Sequence, residues 1–160
     1  IDADPGKLEV ARQLGADYAL NLNDTDVRAE VEEITNGEGV DVSIEAVGGS
    51  GEGLKQCLDM VCHNGIMALY GDNYAPVDNF CFHRFHEDGL EIRNLNAVHY
   101  THLRSIENMR EAYRAVQRGV FNLDIVFENS VSHRLTDLAA VFEQENSSEH
   151  QSSLKTLIIP

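Results

Sequence analysis

The chain has 160 residues, 42% of them hydrophobic and 24% charged, which is typical of a folded globular domain. Its 12 basic and 27 acidic residues give a net charge of −15. This charge argues against binding to nucleic acid or to an anionic membrane, because both need a basic surface. No apolar run approaches the roughly 18 residues that a membrane-spanning helix needs.

Three cysteines, Cys57, Cys62 and Cys81, are too few and odd in number for a disulfide framework. A reducing, cytoplasmic setting is therefore expected. The sequence opens on Ile1-Asp2-Ala3-Asp4 without an initiator Met, a pattern typical of a strand that ends in a turn. We therefore expect the chain to continue a longer protein that begins upstream.

The first predicted helix follows Asp4, a good N-cap, with Pro5 in its first turn and Gly15 at its end. A short strand is predicted over 18–22 and a second helix over 27–35.

The middle of the chain alternates strands and helices. Apolar and polar residues alternate over 40–47, which predicts a strand, and a helix is predicted from Leu54 to about Asn64. A buried strand follows over 66–70, a loop or short helix over 73–88, and a strand over 90–98.

The last third is predicted to contain a helix over 105–118, an extended segment over 123–133, a helix over 136–146 and a final strand over 154–159. Helices and strands that alternate with short connections are typical of an α/β fold with a doubly wound parallel sheet.

A specific pattern lies between Asp2 and Asn21: an acidic residue at a strand end, Lys7 five positions later, a helix, and Leu14-Gly15-Ala16-Asp17. It resembles the second half of the nucleotide-binding domain of zinc-type, medium-chain alcohol dehydrogenases. The resemblance covers essentially the whole chain, is most specific over 2–71 and is weakest over 72–104. Its further matches lie at 35–42, 44–48, 65–71, Gly119 and 153–156.

This resemblance implies a partial Rossmann-like domain over 1–98 and a C-terminal segment, 99–160, that returns to the catalytic domain and ends in the strand 154–159. The first strand and its Gly-rich turn would lie upstream of Ile1, because the G-x-G-x-x-G fingerprint precedes the ribose-binding acid by about 20 residues. The glycines between Gly48 and Gly53 have the wrong spacing for it and predict a flexible turn.

Without the first strand, we expect the fourth, fifth and sixth strands of the family to pair and to leave an open edge beside the fourth. Residues 1–25 are then expected to be poorly packed, swapped or rearranged. A continuous six-stranded sheet made by this chain would contradict that expectation.

The resemblance also implies contacts with the adenosine half of a dinucleotide. Asp2 would accept hydrogen bonds from both ribose hydroxyls of NAD and repel the extra phosphate of NADP, so NAD is favoured over NADP. Asp4 is the competing acid, but it fits better as the helix cap, and both could be simple turn aspartates. Lys7 would lie beside the adenosine ribose and Lys155 would reach the pyrophosphate. Either lysine could instead be a solvent-facing side chain.

Six positions at strand ends are assigned to the cofactor from the family register: Ala46, Val47, Tyr70, Gly71, Leu95 and Ala97. The first two would lie against the cofactor, the next two would place backbone groups near the nicotinamide, and the last two would face the carboxamide through the backbone. Apolar residues at strand ends usually belong to the core, which is the competing interpretation.

No catalytic residue or metal ligand is predicted in this chain. The resemblance places the zinc ligands and the proton relay of the parent enzyme upstream. Cys81, His83 and His86 can bind metals, but a zinc site needs three or four ligands in a defined geometry. The alternative for this segment is a loop that packs over the cofactor cleft or at a subunit interface.

The leading hypothesis is that this chain is the cofactor-binding portion, inactive by itself, of an NAD(P)-dependent, zinc-type alcohol dehydrogenase. The parent enzyme would transfer hydride between a small alcohol or carbonyl substrate and nicotinamide. Two alternatives remain: a zinc-independent quinone or enoyl reductase of the same superfamily, and a non-catalytic, self-associating remnant. A homo-oligomer is expected through the strand near 90–101, since in the family the sixth strand often pairs across a two-fold axis.

Overall fold

Residues 1–49, 51–74, 76–77, 81–95, 102–145 and 154–160 are described by a computed structural model. Their contacts group them into two units: Ile1–Thr25 with Asn108–Pro160, and Asp26–Glu107. The boundary between residues 98 and 99 follows the family resemblance rather than this grouping and stays a prediction. Among the described residues, no helix combines the length and apolar character needed to cross a membrane.

The unit Asp26–Glu107 is built on a parallel sheet of three strands in the order β1-β2-β3. These strands are β1 (Val40–Glu45), β2 (Val61–Leu69) and β3 (Glu91–Asn94). They form the expected α/β arrangement, in which the fourth, fifth and sixth strands of the family pair in sequence. Among the described strands β1 pairs only with β2, which leaves its other edge open.

Three helices accompany this sheet: α2 (Val27–Ile34), α3 (Glu52–Met60) and α4 (His83–Glu87). Asp26 caps α2 by accepting a hydrogen bond from the Ala29 N–H. The prediction that α3 reaches Asn64 was wrong, because α3 ends at Met60 and β2 begins at the buried Val61.

The core of this unit lies between α3 and the sheet. Met67 of β2 is completely buried at its centre. The other members of the buried cluster are Leu54, Cys57, Leu58, Val61 and Leu90, with Leu69, Val77 and Phe85 packed against it.

In the first unit, α1 spans Pro5–Gln13 and is capped by Asp4, as predicted. The predicted strand over 18–22 is reduced to one parallel bridge between Asp2 and Asn21. Leu8 and Val10 of α1 are buried, whereas Ile1 and several other apolar side chains of residues 1–25 are exposed. The described strands form a three-stranded and a two-stranded sheet, not one sheet of six strands.

The C-terminal part contains α5 (His102–Gln117), α6 (Leu123–Glu128), β4 (Val131–Arg134), α7 (Leu138–Glu145) and β5 (Thr156–Ile159). The last strand was predicted, and it pairs in parallel with β4.

The predicted extended segment over 123–133 was wrong for its first six residues, which form α6. The side chain of Asn122 accepts a hydrogen bond from the Asp124 N–H and starts this helix.

Candidate functional site

The carboxyl ends of β1 and β2 lie at the same edge of the sheet, which is where ligands bind in open α/β folds. The turn after β1 holds Ala46 and Val47, and the chain leaving β2 holds Tyr70 and Gly71. The backbone oxygen of Glu45 joins the two, since it accepts hydrogen bonds from the N–H groups of Tyr70 at 2.8 Å and Gly71 at 2.9 Å. The structure therefore brings these four predicted positions together.

Two large apolar side chains project from this edge into solvent. Val47 is 90% exposed and Tyr70 is 64% exposed. The competing interpretation, that these positions belong to the core, is wrong for both residues in this unit. Exposed apolar side chains beside a strand end provide a surface against which a flat, partly apolar ligand can pack.

The side chain of Glu45 lies beneath this edge and is only 2% exposed. Its Oε1 accepts hydrogen bonds from the N–H groups of Val47 at 2.8 Å and Gly48 at 2.7 Å. Its Oε2 accepts one from the Asn73 side-chain amide at 2.7 Å. This residue was not predicted from the sequence, although an acidic side chain at the end of a strand in an apolar setting is a signal that could have identified it.

These bonds determine the charge state of the carboxyl group. Burial acts to raise the pKa of Glu45, but the hydrogen bonds from Gly48, Asn73 and Val47 outweigh it. The pKa of Glu45 therefore lies below its ordinary value, and the group is a carboxylate at neutral pH.

Glycines allow the two turns to approach this carboxylate. A Cβ atom on Gly71 would lie 2.5 Å from Glu45 Oε2 and would also meet the Gly48 backbone. A Cβ on Gly48 would lie 2.7 Å from the Asp72 carbonyl oxygen, and Gly48 has a φ of +78°. Only glycine fits these positions without displacing the backbone.

Most N–H groups of this edge are used within the protein. Those of Val47, Gly48, Tyr70 and Gly71 donate to Glu45, and that of Gly49 donates to the Asp72 carbonyl at 2.9 Å. A ligand bound here would therefore meet side chains and carbonyl oxygens rather than these donors.

Leu95 follows β3 and is half-buried, and its N–H donates to the Leu69 carbonyl at 2.8 Å. Its backbone donor is thus also used by the sheet. Ala97, the other residue predicted to face the carboxamide, lies outside the described residues.

Asp2, Lys7 and Lys155 belong to the other unit. The half-buried Asp2 accepts a hydrogen bond from the Asp4 N–H at 2.9 Å through Oδ1. Asp4 in turn accepts from the Gly6 and Lys7 N–H groups, which supports the view that Asp4 rather than Asp2 is the helix cap. Both lysines are exposed, and among the described residues neither amine forms an ion pair.

The Cys81–His86 segment does not gather metal ligands. Cys81 is exposed, and the nearest charged contact of His83 is Glu87, 4.0 Å from Nε2 to Oε1. In the part of the chain that the structure describes, no three His, Cys, Asp or Glu side chains could hold a metal ion together. The described residues therefore do not fit a zinc site.

Arg84 is the residue of this segment that makes structural contacts. Its guanidinium donates to the carbonyls of Leu58 and Val61, and it pairs with Asp88 at 2.6 Å from Nε to Oδ2. Arg84 thereby provides hydrogen-bond donors to carbonyl groups at the carboxyl end of α3. This role of Arg84 was not predicted from the sequence.

A family model described as zinc-binding dehydrogenase matches residues 1–118. The chain belongs to the zinc-binding dehydrogenase family. This result confirms the predicted membership of the medium-chain, zinc-type alcohol dehydrogenase superfamily.

The chain is 30% identical over 147 residues to an alcohol dehydrogenase of Cupriavidus necator, with 89% of the chain and 37% of that protein covered. The chain thus spans little more than a third of that relative.

Solved structures share the fold of this chain, and two of them are an alcohol dehydrogenase and a quinone oxidoreductase. An alcohol dehydrogenase from Thermus sp. ATN1 matches with a TM-score of 0.79 and 25% identity, covering 99% of the chain and 43% of that protein. An Escherichia coli quinone oxidoreductase complexed with NADPH matches with a TM-score of 0.73 and 23% identity, covering 99% and 48%. The second match shows the fold alone. Together they agree with a partial Rossmann-like arrangement.

Proposed function

We propose that this chain supplies the cofactor-binding portion of an NAD-dependent oxidoreductase that acts on a small alcohol or carbonyl compound. The observation that carries the proposal is the carboxyl edge of β1 and β2. There, Val47 and Tyr70 stand exposed above two glycine-containing turns joined by Glu45.

The nicotinamide half of the cofactor fits this edge. The rings of a dinucleotide need apolar surface for packing, which Val47 and Tyr70 offer, and Gly48 and Gly71 let the two turns that carry these side chains come together. Because most edge N–H groups donate within the protein, the carboxamide is proposed to be recognised through its NH₂, which can donate to backbone carbonyl oxygens. The positions of Leu95 and Ala97 are proposed to contribute such oxygens.

From the family resemblance, the contacts with the adenosine half are assigned to Asp2, Lys7 and Lys155. Asp2 follows the family position of the ribose-binding acid, and Asp4 is already engaged as the cap of α1. A carboxylate there favours NAD over NADP, because a 2′-phosphate would face a negative charge. Lys7 and Lys155 would supply positive charge for the ribose side and the pyrophosphate in a chain of net charge −15.

NAD, when bound, accepts the hydride taken from the alcohol carbon. The residues of this chain bind and orient the cofactor, and none of them is assigned to proton transfer. The alcohol dehydrogenase from Cupriavidus necator supports an alcohol substrate. Zinc is proposed for the whole protein from its family, and no step is assigned to it here since the described residues do not fit a site.

Isothermal titration of the 160-residue chain with NAD and with NADP tests the proposal. We expect saturable binding of NAD in the micromolar to millimolar range and weaker binding of NADP. Absence of saturable NAD binding would support the non-catalytic remnant, and tighter binding of NADP would reject the role of Asp2.

We further propose that the protein acts in the cytoplasm as a homo-oligomer that pairs near residues 90–101. Among the described strands, β3 contacts only β2 and so has a free edge on which a second copy could add a strand. Light scattering after size exclusion is expected to give at least twice the 17.8 kDa mass of the chain. A monomer at high concentration would contradict this.

A further inference from the structure

We propose that Glu45 is a positioning residue that, with Asn73, sets the geometry of the nicotinamide side of the cofactor site; this inference rests on the proposed function. It is not a catalytic residue, because its carboxylate is buried beneath the edge and faces the protein rather than the ligand.

Glu45 accepts hydrogen bonds through both its side chain and its backbone oxygen. Its carboxylate accepts three, from Val47, Gly48 and Asn73, and its backbone oxygen accepts two, from Tyr70 and Gly71. We call the carboxylate of Glu45 and the amide of Asn73 the Glu45–Asn73 clasp. The clasp connects the turn after β1 with the turn after β2, and these turns carry the residues assigned to the nicotinamide.

Burying a carboxylate costs free energy, and an apolar side chain of similar size often serves stability as well or better. Two adjacent N–H groups that point at one spot, as those of Val47 and Gly48 do, form a concavity suited to an anion. The carboxylate of Glu45 occupies that concavity in place of an external anion, and its bond to the Val47 N–H fixes the position of Val47.

A Cβ on Gly53 in α3 would lie 2.9 Å from Glu45 Oε1, and one on Gly71 would lie 2.5 Å from Oε2. The carboxylate is thus closely surrounded, and its position cannot change without moving one of the two turns.

The substitution Glu45→Gln tests the proposal with little change of shape. Its amide oxygen can still accept from Val47 and Gly48, but its NH₂ would face the NH₂ of Asn73. If the Asn73 amide rotates to accept through Oδ1 instead, it loses its hydrogen bond to the Gly71 carbonyl, so the turn after β2 is perturbed in either case. The matched control is Glu52→Gln, which removes the same charge from a carboxylate of the same unit whose side chain is 73% exposed.

Two ligands separate positioning from general stability: NADH, and ADP-ribose, which lacks only the nicotinamide. For Glu45→Gln we expect the NADH Kd to rise by about tenfold and the ADP-ribose Kd to change by less than about twofold. The control should leave both Kd values unchanged. Both are measured well below the Tm of each variant.

An equal rise of both Kd values would mean that Glu45 serves stability alone. No rise of either Kd would mean that the clasp does not influence binding. Each of these results overturns the proposal. A wild-type chain that binds neither ligand overturns the proposed function and with it this role. Wild-type binding with an unaffected variant overturns this role only.

If the Glu45→Gln chain does not fold, two further measurements test the proposal. Asn73→Ala keeps both backbone hydrogen bonds to the carboxylate. It is expected to raise the NADH Kd, but by less than Glu45→Gln does. An unchanged NADH Kd in this variant counts against the clasp. Amide hydrogen exchange without ligand should show protected Val47 and Gly48 N–H groups in the wild type, and rapid exchange there would also count against it.

Discussion

The carboxylate Oε2 of Glu45 and the side-chain Nδ2 of Asn73 lie 2.7 Å apart, although 28 positions separate the two residues in the sequence. This bond joins the turn after β1 to the chain leaving β2. The edge of the sheet that carries Val47 and Tyr70 therefore depends on one buried charge.

The stability of the fold should depend on pH through Glu45. The pKa of Glu45 is lowered in the folded state, so its contribution is fully present above the ordinary pKa of a glutamate, about 4.3. This contribution is lost as the pH falls below that value and through the lower folded pKa. Urea unfolding between pH 3 and 7 should show a steeper loss for the wild type than for Glu45→Gln. Parallel curves would contradict this.

Gly71→Ala should destabilise the chain by about 3 kcal/mol, because the added methyl group meets the Gly48 backbone and the Glu45 carboxylate. Gly119→Ala is the control: its φ is +73° but nothing lies within 4 Å of the new Cβ, so only backbone strain of about 1 kcal/mol is expected. Chemical denaturation measures both. Equal losses would show that steric contact at Gly71 is unimportant.

Arg84→Lys should cost about 2 kcal/mol, since a lysine cannot reach two carbonyls and Asp88 with one planar group. Arg93→Lys alters an exposed pair with Glu91 and should cost less than about 0.5 kcal/mol. Thermal and urea unfolding of the two variants give the comparison. A smaller loss of unfolding free energy for Arg84→Lys than for Arg93→Lys would show that the Arg84 hydrogen bonds at the end of α3 do not stabilise the fold.

Cys57 should be unreactive in the folded chain. Burial raises the pKa of its thiol, and the charge of Glu45 adds to the rise. The Ser43 hydroxyl acts in the opposite direction and lowers the pKa of Cys57, but by less than burial raises it. Among the described residues, the Ser43 oxygen has no hydrogen-bond partner of ordinary geometry. A thiol reagent such as DTNB should modify the exposed Cys81 first and Cys57 only on unfolding. Early modification of Cys57 would be inconsistent with this core.

Asp2→Asn should reduce the preference for NAD over NADP by about tenfold, because it removes the charge that is proposed to bind the ribose and to repel the phosphate of NADP. Its side-chain oxygen can still accept from the Asp4 N–H, so the turn before α1 is preserved. Asp24→Asn, on an exposed carboxylate of the same unit, is the control. An unchanged preference in titrations with both cofactors would remove Asp2 from the site.

Local signals in the sequence predicted most of the elements. Asp4 and Pro5 start α1, and the alternation over 40–47 predicts β1. The errors came where a distant or overlooked contact decided the outcome. The predicted end of α3 was too late, and Arg84, whose guanidinium binds Leu58 and Val61 at this end, lies more than 20 positions further along the chain.

The alternation in β1 also could not tell which face is buried. Ser43 and Glu45 lie inside, whereas Val42 and Ile44 are 49% and 58% exposed. A period of two identifies a strand, but the direction of its faces depends on what packs on each side.

The sequence by itself determined the family and most of the elements, because these follow from motifs and local periodicity, and the family register assigned the strand-end residues. Only the tertiary structure decided that Glu45 is buried and charged. Its carboxylate needs donors from the turn after β1 and from Asn73 beyond β2, and these come together only when the two parallel strands pair.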